Sequence, residues 1–271
     1  MKYFSLTGKF LCLIVFPFFS TGLFSSQDFS NDPEFEKIML ENGTKGTIII
    51  SSLDGTFTYV HNQQRARERL TPASTFKIAN SIIALEMGTV EDQFESMAWD
   101  GQERCLEVWN RDHNLKSAFK HSCVWFYQAL ARKIGSENYL EYLNRLDYGN
   151  HLVGNDVTTF WLEGGGDLRI SPFEQIDFLK RIFRKELPIS DRTYNILEDI
   201  MLEEESSEYR LYSKSGAATK NWKGHGWYVG YIKTQNNSVY FFVTNILIDG
   251  PQGLSKRKEI TLAALRQKGI L

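Results

Sequence analysis

Gly226-Trp-Tyr-Val-Gly-Tyr-Ile-Lys233, then Gln235-Asn-Asn-Ser238, then Val239-Tyr-Phe-Phe-Val-Thr-Asn-Ile-Leu-Ile248 decide the fold. Both long runs are rich in aromatic and β-branched side chains, which suit a pleated, half-buried surface. The polar break between them marks a tight turn. The stretch therefore predicts two adjacent strands. Upstream, Tyr209–Ser213 has the same character and adds a third. Downstream, 256–268 predicts a closing helix. At the other end of the chain, Asp32 and Pro33 open a helix that runs through Asn42, with Gly43 just past its end. Thr47-Ile-Ile-Ile50 and Phe57-Thr-Tyr-Val60 flank Leu53-Asp-Gly-Thr56, a hairpin signature.

Between these ends, Pro72 to Glu205 reads mainly as helix. Ser74 to Met87 stops at Gly88, Val124 to Ile134 stops at Gly135, and Pro172 to Phe183 forms another. Tyr148 to Ile170 is glycine-rich with no helical period, a loop of the length that usually serves a function. The order predicts an α+β fold: an antiparallel sheet built from both chain ends, flanked by helices, with a helical insertion. The sheet lobe is expected over 27–70 and 206–271 and the mainly helical lobe over 71–205. A site is expected in the cleft where they meet.

With 271 residues, 42% of them hydrophobic, the chain can build a substantial core. A net charge of −2 argues against nucleic acid or an anionic membrane as partner. Lys2 and Lys9 precede the apolar run Phe10–Phe19, and Ser20-Thr-Gly22 follows. This predicts a secretory signal over residues 1–26, cleaved near Ser25 or Ser26. A membrane span needs about 20 apolar residues, and this run is shorter and carries Pro17. An exported, periplasmic chain of 27–271 without a stable membrane anchor is therefore expected. Its cysteines, Cys105 and Cys123, could pair in an oxidising compartment or remain free thiols. The free form is favoured because Cys123 adjoins Ser122, a site candidate.

The chemistry begins at Ser74-Thr-Phe-Lys77. Thr71 can cap a helix with Pro72 at its first position, which puts Ser74 in the first turn. Lys77, three residues on, shares its face. A hydroxyl there meets backbone amides and the positive end of the helix dipole, which favour a developing oxyanion. It still needs a base within hydrogen-bond reach, and Lys77 is the candidate. Ser117-Ala-Phe-Lys120 and Ser255-Lys-Arg-Lys258 repeat the spacing, but only Ser74 opens a strongly apolar helix. Ser122-Cys-Val124 stands at a helix start, where Ser122 is either an N-cap or a second site hydroxyl. Lys214-Ser-Gly-Ala217 follows a strand. Its lysine can bind a carboxylate or simply lie in solvent before a turn, and Gly216 and Ala217 let a ligand approach the backbone.

Taken in order, Ser74-Thr-Phe-Lys77, Ser122-x-Val124, Tyr148-Gly-Asn150 and Lys214-Ser-Gly216 resemble the four motifs of the class D β-lactamases, the oxacillinase family. Phe160-Trp-Leu-Glu-Gly164 and Trp227-Tyr-Val-Gly230 extend the resemblance over nearly the whole mature chain. It implies hydrolysis of the β-lactam ring of penicillin-type antibiotics, and hence antibiotic resistance, through an acyl-enzyme on Ser74. It implies no metal and no cofactor beyond a CO2-derived carbamate on Lys77, which acts as general base. Trp161 would hold the carbamate, with Val124 and Leu162 as apolar neighbours. Ser122 would relay a proton to the ring nitrogen. Lys214 would tune that serine and attract the substrate carboxylate, and Ser215 would bind it. The N–H groups of Ser74 and Ala217, beside Gly216, would form the oxyanion hole. Arg257 would anchor the carboxylate, with Lys256, Lys258 and Arg210 as competitors.

The carbamate has a physical rationale. A lysine near its reference pKa of about 10.4 is protonated at neutral pH; burial lowers that value, and a neutral amine can add CO2. Cys123 and Trp125 depart from many relatives and would alter packing over Lys77, while Gly164-Gly-Gly166 should loosen its loop. The Glu-x-x-Leu-Asn stretch of class A enzymes is missing, and Glu163 is expected in a loop salt bridge. The rivals are a penicillin-binding protein or β-lactam sensor that is acylated without turnover, an esterase using the same Ser-Lys pair, and a non-catalytic cell-wall binding protein.

Overall fold

Asp32 opens the first helix as expected, its Oδ1 accepting from the N–H groups of Glu34 and Phe35 at 3.1 and 3.2 Å. The computed structural model describes residues 28–164 and 166–271, so the signal expected over 1–26, and Gly165, lie outside it. Helix α1 (Pro33–Glu41) leads into β1 (Gly46–Ser52) and β2 (Thr58–His61). The short α2 (Gln63–Arg67), α3 (Lys77–Glu86), α4 (Leu115–Lys120), α5 (Val124–Ile134) and α6 (Ser136–Arg145) follow, then α7 (Pro172–Phe183) and α8 (Asp191–Met201). Strands β3 (Leu202–Glu205), β4 (Tyr209–Lys220), β5 (Lys223–Thr234) and β6 (Val239–Asp249) precede α9 (Gly253–Gln267).

The six strands form one sheet in the order β2-β1-β6-β5-β4-β3, antiparallel throughout. The first hairpin thus inserts beside the last strand, as a sheet made from both chain ends requires. Apolar cores cover both faces. Ile48, Ile50, Tyr228 and Phe242 meet α1 and α9 on one side. Ile49, Trp227, Val229 and Val243 meet the helical block on the other. Burying each such side chain contributes about 1.5–3 kcal/mol. Lys268 then clasps the chain ends, its Nζ 2.6 Å from the Asp32 carboxylate and 4.5 Å from the Tyr59 ring centre.

Two element boundaries differ from expectation. Leu202–Glu205, assigned above to the helical block, is an edge strand paired to Arg210–Tyr212. Strand β4 also runs well past Ser213, so Lys214-Ser-Gly-Ala217 lies within a strand rather than after one. Glycine, alanine and serine have weak strand preference, but the unbroken ladder with β5 from Tyr209 to Lys220 overrides it.

The described residues between Tyr148 and Ile170 form turns without helix or extended strand. Asn150 fastens the ends of this loop: its Nδ2 donates to Asp167 O at 2.8 Å and its Oδ1 accepts from Arg169 N at 2.9 Å. At the loop's inner edge the rings of Tyr139, Tyr148, Phe160 and Trp161 surround Phe76, with centroids 5.2–6.1 Å away. Phe76 is wholly buried. Phe76→Ala is expected to lower unfolding free energy by about 3–5 kcal/mol, read from urea midpoints at constant slope.

Candidate active site

Ser74 does not sit in the first turn of an α-helix. Ala73–Phe76 form a 3-10 turn after Pro72, and α3 begins only at Lys77. Thr71 is not the cap foreseen; it meets the sheet through its carbonyl, which accepts from Trp227 Nε1 at 2.9 Å and His225 Nε2 at 3.0 Å. Burial holds the His225 pKa below its ordinary value, and a carbonyl partner requires Nε2 to carry a proton. Thr75 closes the turn by donating its N–H and hydroxyl to Pro72 O at 3.1 and 2.7 Å. From Thr71 to Asn80 every residue is buried except Ser74, which is partly exposed.

Lys77 is completely buried. Its Nζ donates to Ser74 Oγ at 3.0 Å and lies 5.0 Å from the ring centre of Tyr127. Among the described residues no carboxylate pairs with it. Burial lowers its pKa from the ordinary 10.5 to about 7, with only the neighbouring Cys123 acting the other way. That thiol is itself pushed up by burial. Cys123 and the exposed Cys105 are free thiols. Trp161 is also fully buried, and its indole N–H has no partner among the described residues.

Ser122 precedes α5 but does not cap it. Cys123 holds that position, while Ser122 adopts a left-handed backbone with φ +53°. The Lys214 Nζ donates to Ser122 Oγ at 2.5 Å and to Ser215 O at 2.9 Å. Lys214 is 4% exposed and so is not a solvated lysine. Burial, then the charges of Lys77 and Arg257, push its pKa well down. Gly216 brings β4 against the Ser74 turn: a Cβ there would lie 3.1 Å from Pro72 O and from Thr75 N. The exposed Ala217 follows directly. Val124 and Leu162 are partly buried, Leu162 against the same core as Trp161.

Alternation along β4 turns Lys214 and Gly216 toward the helical block and Ser215 toward α9. Ser215 and Arg257 line a common cavity of about 460 Å³. Arg257 is lowered to about 10 by burial, and its guanidinium donates to Gly216 O at 2.5 Å. Gly226 makes room for it, since a Cβ there would lie 2.6 Å from Arg257 Cδ. Of the competing cations, Lys256 bonds Asn42 O and Arg210 pairs with Glu205, while Lys258 lines the same cavity and pairs with Glu203 and Glu204.

Ser117 is part of a capping box, and Ser255 bonds Gln252 O, so neither repeats the Ser74 arrangement. Trp125 donates to Trp109 O at 2.8 Å and stacks under Arg104. Glu163 is exposed and makes no ion pair among the described residues, against the expected loop salt bridge. Gly166 does not loosen the loop either; a Cβ there would lie 1.9 Å from Phe160 O, so it marks a tight crossing. Sequence reasoning missed Tyr127 and His225. Tyr127 lies three residues after Val124, and His225 two before Trp227, so helical and strand periodicity respectively would have found them.

The buried amine sets a pH signature. Unfolded, Lys77 binds its proton up to about 10.5; folded, only up to about 7. The unfolded state binds more protons between these values, so this residue makes stability rise with pH across that window. Lys77→Met, measured in CO2-free buffer, should therefore stabilise the protein by about 2–4 kcal/mol at pH 7 and flatten this part of the stability–pH curve.

The sequence model of the penicillin-binding protein transpeptidase domain matches residues 32–266. β-Lactamase OXA-48 of Klebsiella pneumoniae is 38% identical over 231 residues, 85% of this chain and 86% of that one. Two crystal structures superpose closely. The class D β-lactamase YbXI from Nostoc gives a TM-score of 0.84 at 42% identity, covering 88% of this chain and 99% of that one. FUS-1 (OXA-85) from Fusobacterium nucleatum subsp. polymorphum gives 0.85 at 35%, covering 89% and 100%. With likeness of this degree sustained over most of both partners, in sequence and in fold, the chain belongs to the class D β-lactamases.

Proposed function

We propose that this protein hydrolyses β-lactam antibiotics through an acyl-enzyme on Ser74 and so confers resistance to them. The observation that carries the mechanism is the 3.0 Å contact between Ser74 Oγ and the buried Lys77 amine. A base must be unprotonated to accept the hydroxyl proton, and burial brings Lys77 to about pH 7. Ser74 then attacks the lactam carbonyl, and the oxyanion is received by the N–H groups of Ser74 and Ala217. Ser122, its Oγ held 2.5 Å from Lys214 Nζ, relays to the departing ring nitrogen the proton taken from Ser74. Ser215 and Arg257 hold the substrate carboxylate.

Addition of CO2 to Lys77 would supply a carbamate, an anionic base serving both acylation and deacylation. Two features fit this group: a buried amine able to be neutral at pH 7, and the unpartnered indole N–H of Trp161, packed on the residue before Lys77. Trp161 would donate to it, while Tyr127, Val124 and Leu162 would limit water around it. The protein is read as periplasmic, with 1–26 removed on export; among the described residues no helix is long and apolar enough to cross a membrane.

Turnover of a chromogenic cephalosporin tests the hydrolase reading; acylation of one equivalent without turnover overturns it in favour of a penicillin-binding or sensor protein. Ser74→Ala and Lys77→Ala should each lower kcat by at least about 10³-fold. Carbamylation predicts that CO2-free dialysis at low pH lowers activity and bicarbonate restores it. Trp161→Phe should raise the bicarbonate concentration needed for half-maximal activity. Unchanged activity after rigorous CO2 removal would exclude the carbamate.

A further inference from the structure

The cavity of about 460 Å³ beside Ser215 and Arg257 extends over α9, away from Ser74 and Lys77. Its apolar wall includes Leu254, Leu262 and the ring of Tyr228. Its charged groups are Glu203, Arg257, Lys258 and Glu259. Glu203 is fixed in place: its carboxylate accepts from the Ser213 hydroxyl, from Tyr228 OH at 2.7 Å and from Lys258 Nζ at 2.8 Å. Burial raises its pKa, but these donors outweigh that and hold it below the ordinary carboxylate value. The side chain nevertheless keeps 35% of its surface exposed. Lys258 is shared with a second carboxylate, Glu204, at 3.3 Å.

In a cephalosporin, the ring carbon next to the one bearing the carboxylate carries the C3 substituent. A carboxylate held by Ser215 and Arg257 therefore sends that substituent toward this cavity. The bound carboxylate also neutralises Arg257. What remains of the lining is Lys258 against Glu203 and Glu259, a net negative surround. We propose that this cavity is the subsite for the substituent adjacent to the substrate carboxylate, and that Glu203 makes it select cationic over anionic substituents. The proposal rests on the β-lactamase reading above and adds a substrate class to it.

Three cephalosporins with one common acylamino side chain, bearing methyl, pyridiniomethyl or carboxymethylthio at C3, test it. Dissociation constants measured in a Ser74→Ala background separate binding from departure of the C3 group. The cationic compound should bind more tightly than the anionic one by about three- to tenfold at low salt, and less so at high salt. Glu203→Gln should shrink that ratio, whereas Lys258→Gln should enlarge it. A ratio indifferent to both substitutions, or larger in Glu203→Gln, overturns the proposal. Turnover of the methyl compound by the wild-type enzyme distinguishes the outcomes: if it is turned over, only the subsite falls; if none of the three is, the hydrolase reading falls and the subsite with it.

Discussion

An amine stripped of water and given no carboxylate governs this structure. An ammonium buried without an anion costs several kcal/mol, so the fold keeps Lys77 near neutrality instead of pairing it. The aromatic residues around the turn serve that end. Tyr127 closes off water with its ring centre 5.0 Å from Nζ, although a ring face by itself favours the cation, and Phe76, Phe160 and Trp161 fill the adjoining volume. Lys214 is buried nearby, and the charge of Lys77 is among the causes that lower its pKa. Two hydroxyls, Ser74 and Ser122, are each bonded to one of these amines.

Holding four polar groups in so dry a space requires backbone conformations that local preference does not favour. Ala73 and Ser122, beside or at the two hydroxyls, adopt φ of +49° and +53° without being glycine. Each such residue stores of order 1–3 kcal/mol and persists only where its surroundings over-determine it. Those surroundings are visible. Thr71 O is gripped by two β5 side chains, Gly216 leaves no slack between β4 and the turn, and Cys123 N is tied to Ala118 O at 2.9 Å. Strain and packing together place the reactive groups without a flexible segment having to find them.

The sheet was legible in the sequence because its strands alternate or run apolar between unmistakable turns; Asn237 takes the φ of +61° that the Gln235–Ser238 turn demands. Helix α1 was legible from Asp32 and Gly43, and α5 from the stop at Gly135. Local preference failed where long-range pairing decides. Glu203 and Glu204 look helical beside α8, yet they pair with β4. Lys214 to Lys220 looks like a loop, yet β5 matches it residue for residue. The contact between Ser74 and Lys77 was readable from their spacing together with the apolar run that only Ser74 opens. The grip on Thr71 O was not, because it joins residues 154 and 156 positions apart.

Strand β4 then explains how one segment can serve both reaction and recognition. Side chains alternate across a sheet, so a single residue step moves from one face to the other. On the inner face Lys214 reaches Ser122 and Gly216 abuts the Ser74 turn. On the outer face Ser213 and Ser215 meet Glu203 and the Arg257 cavity. The carbonyl of Gly216 links the faces by accepting from Arg257. Changes on the outer face can thus retune which substituents are welcome while the dry environment of Lys77 stays intact. A change at Lys214 or Gly216 has no such freedom, because the one bonds Ser122 and the other abuts the Ser74 turn.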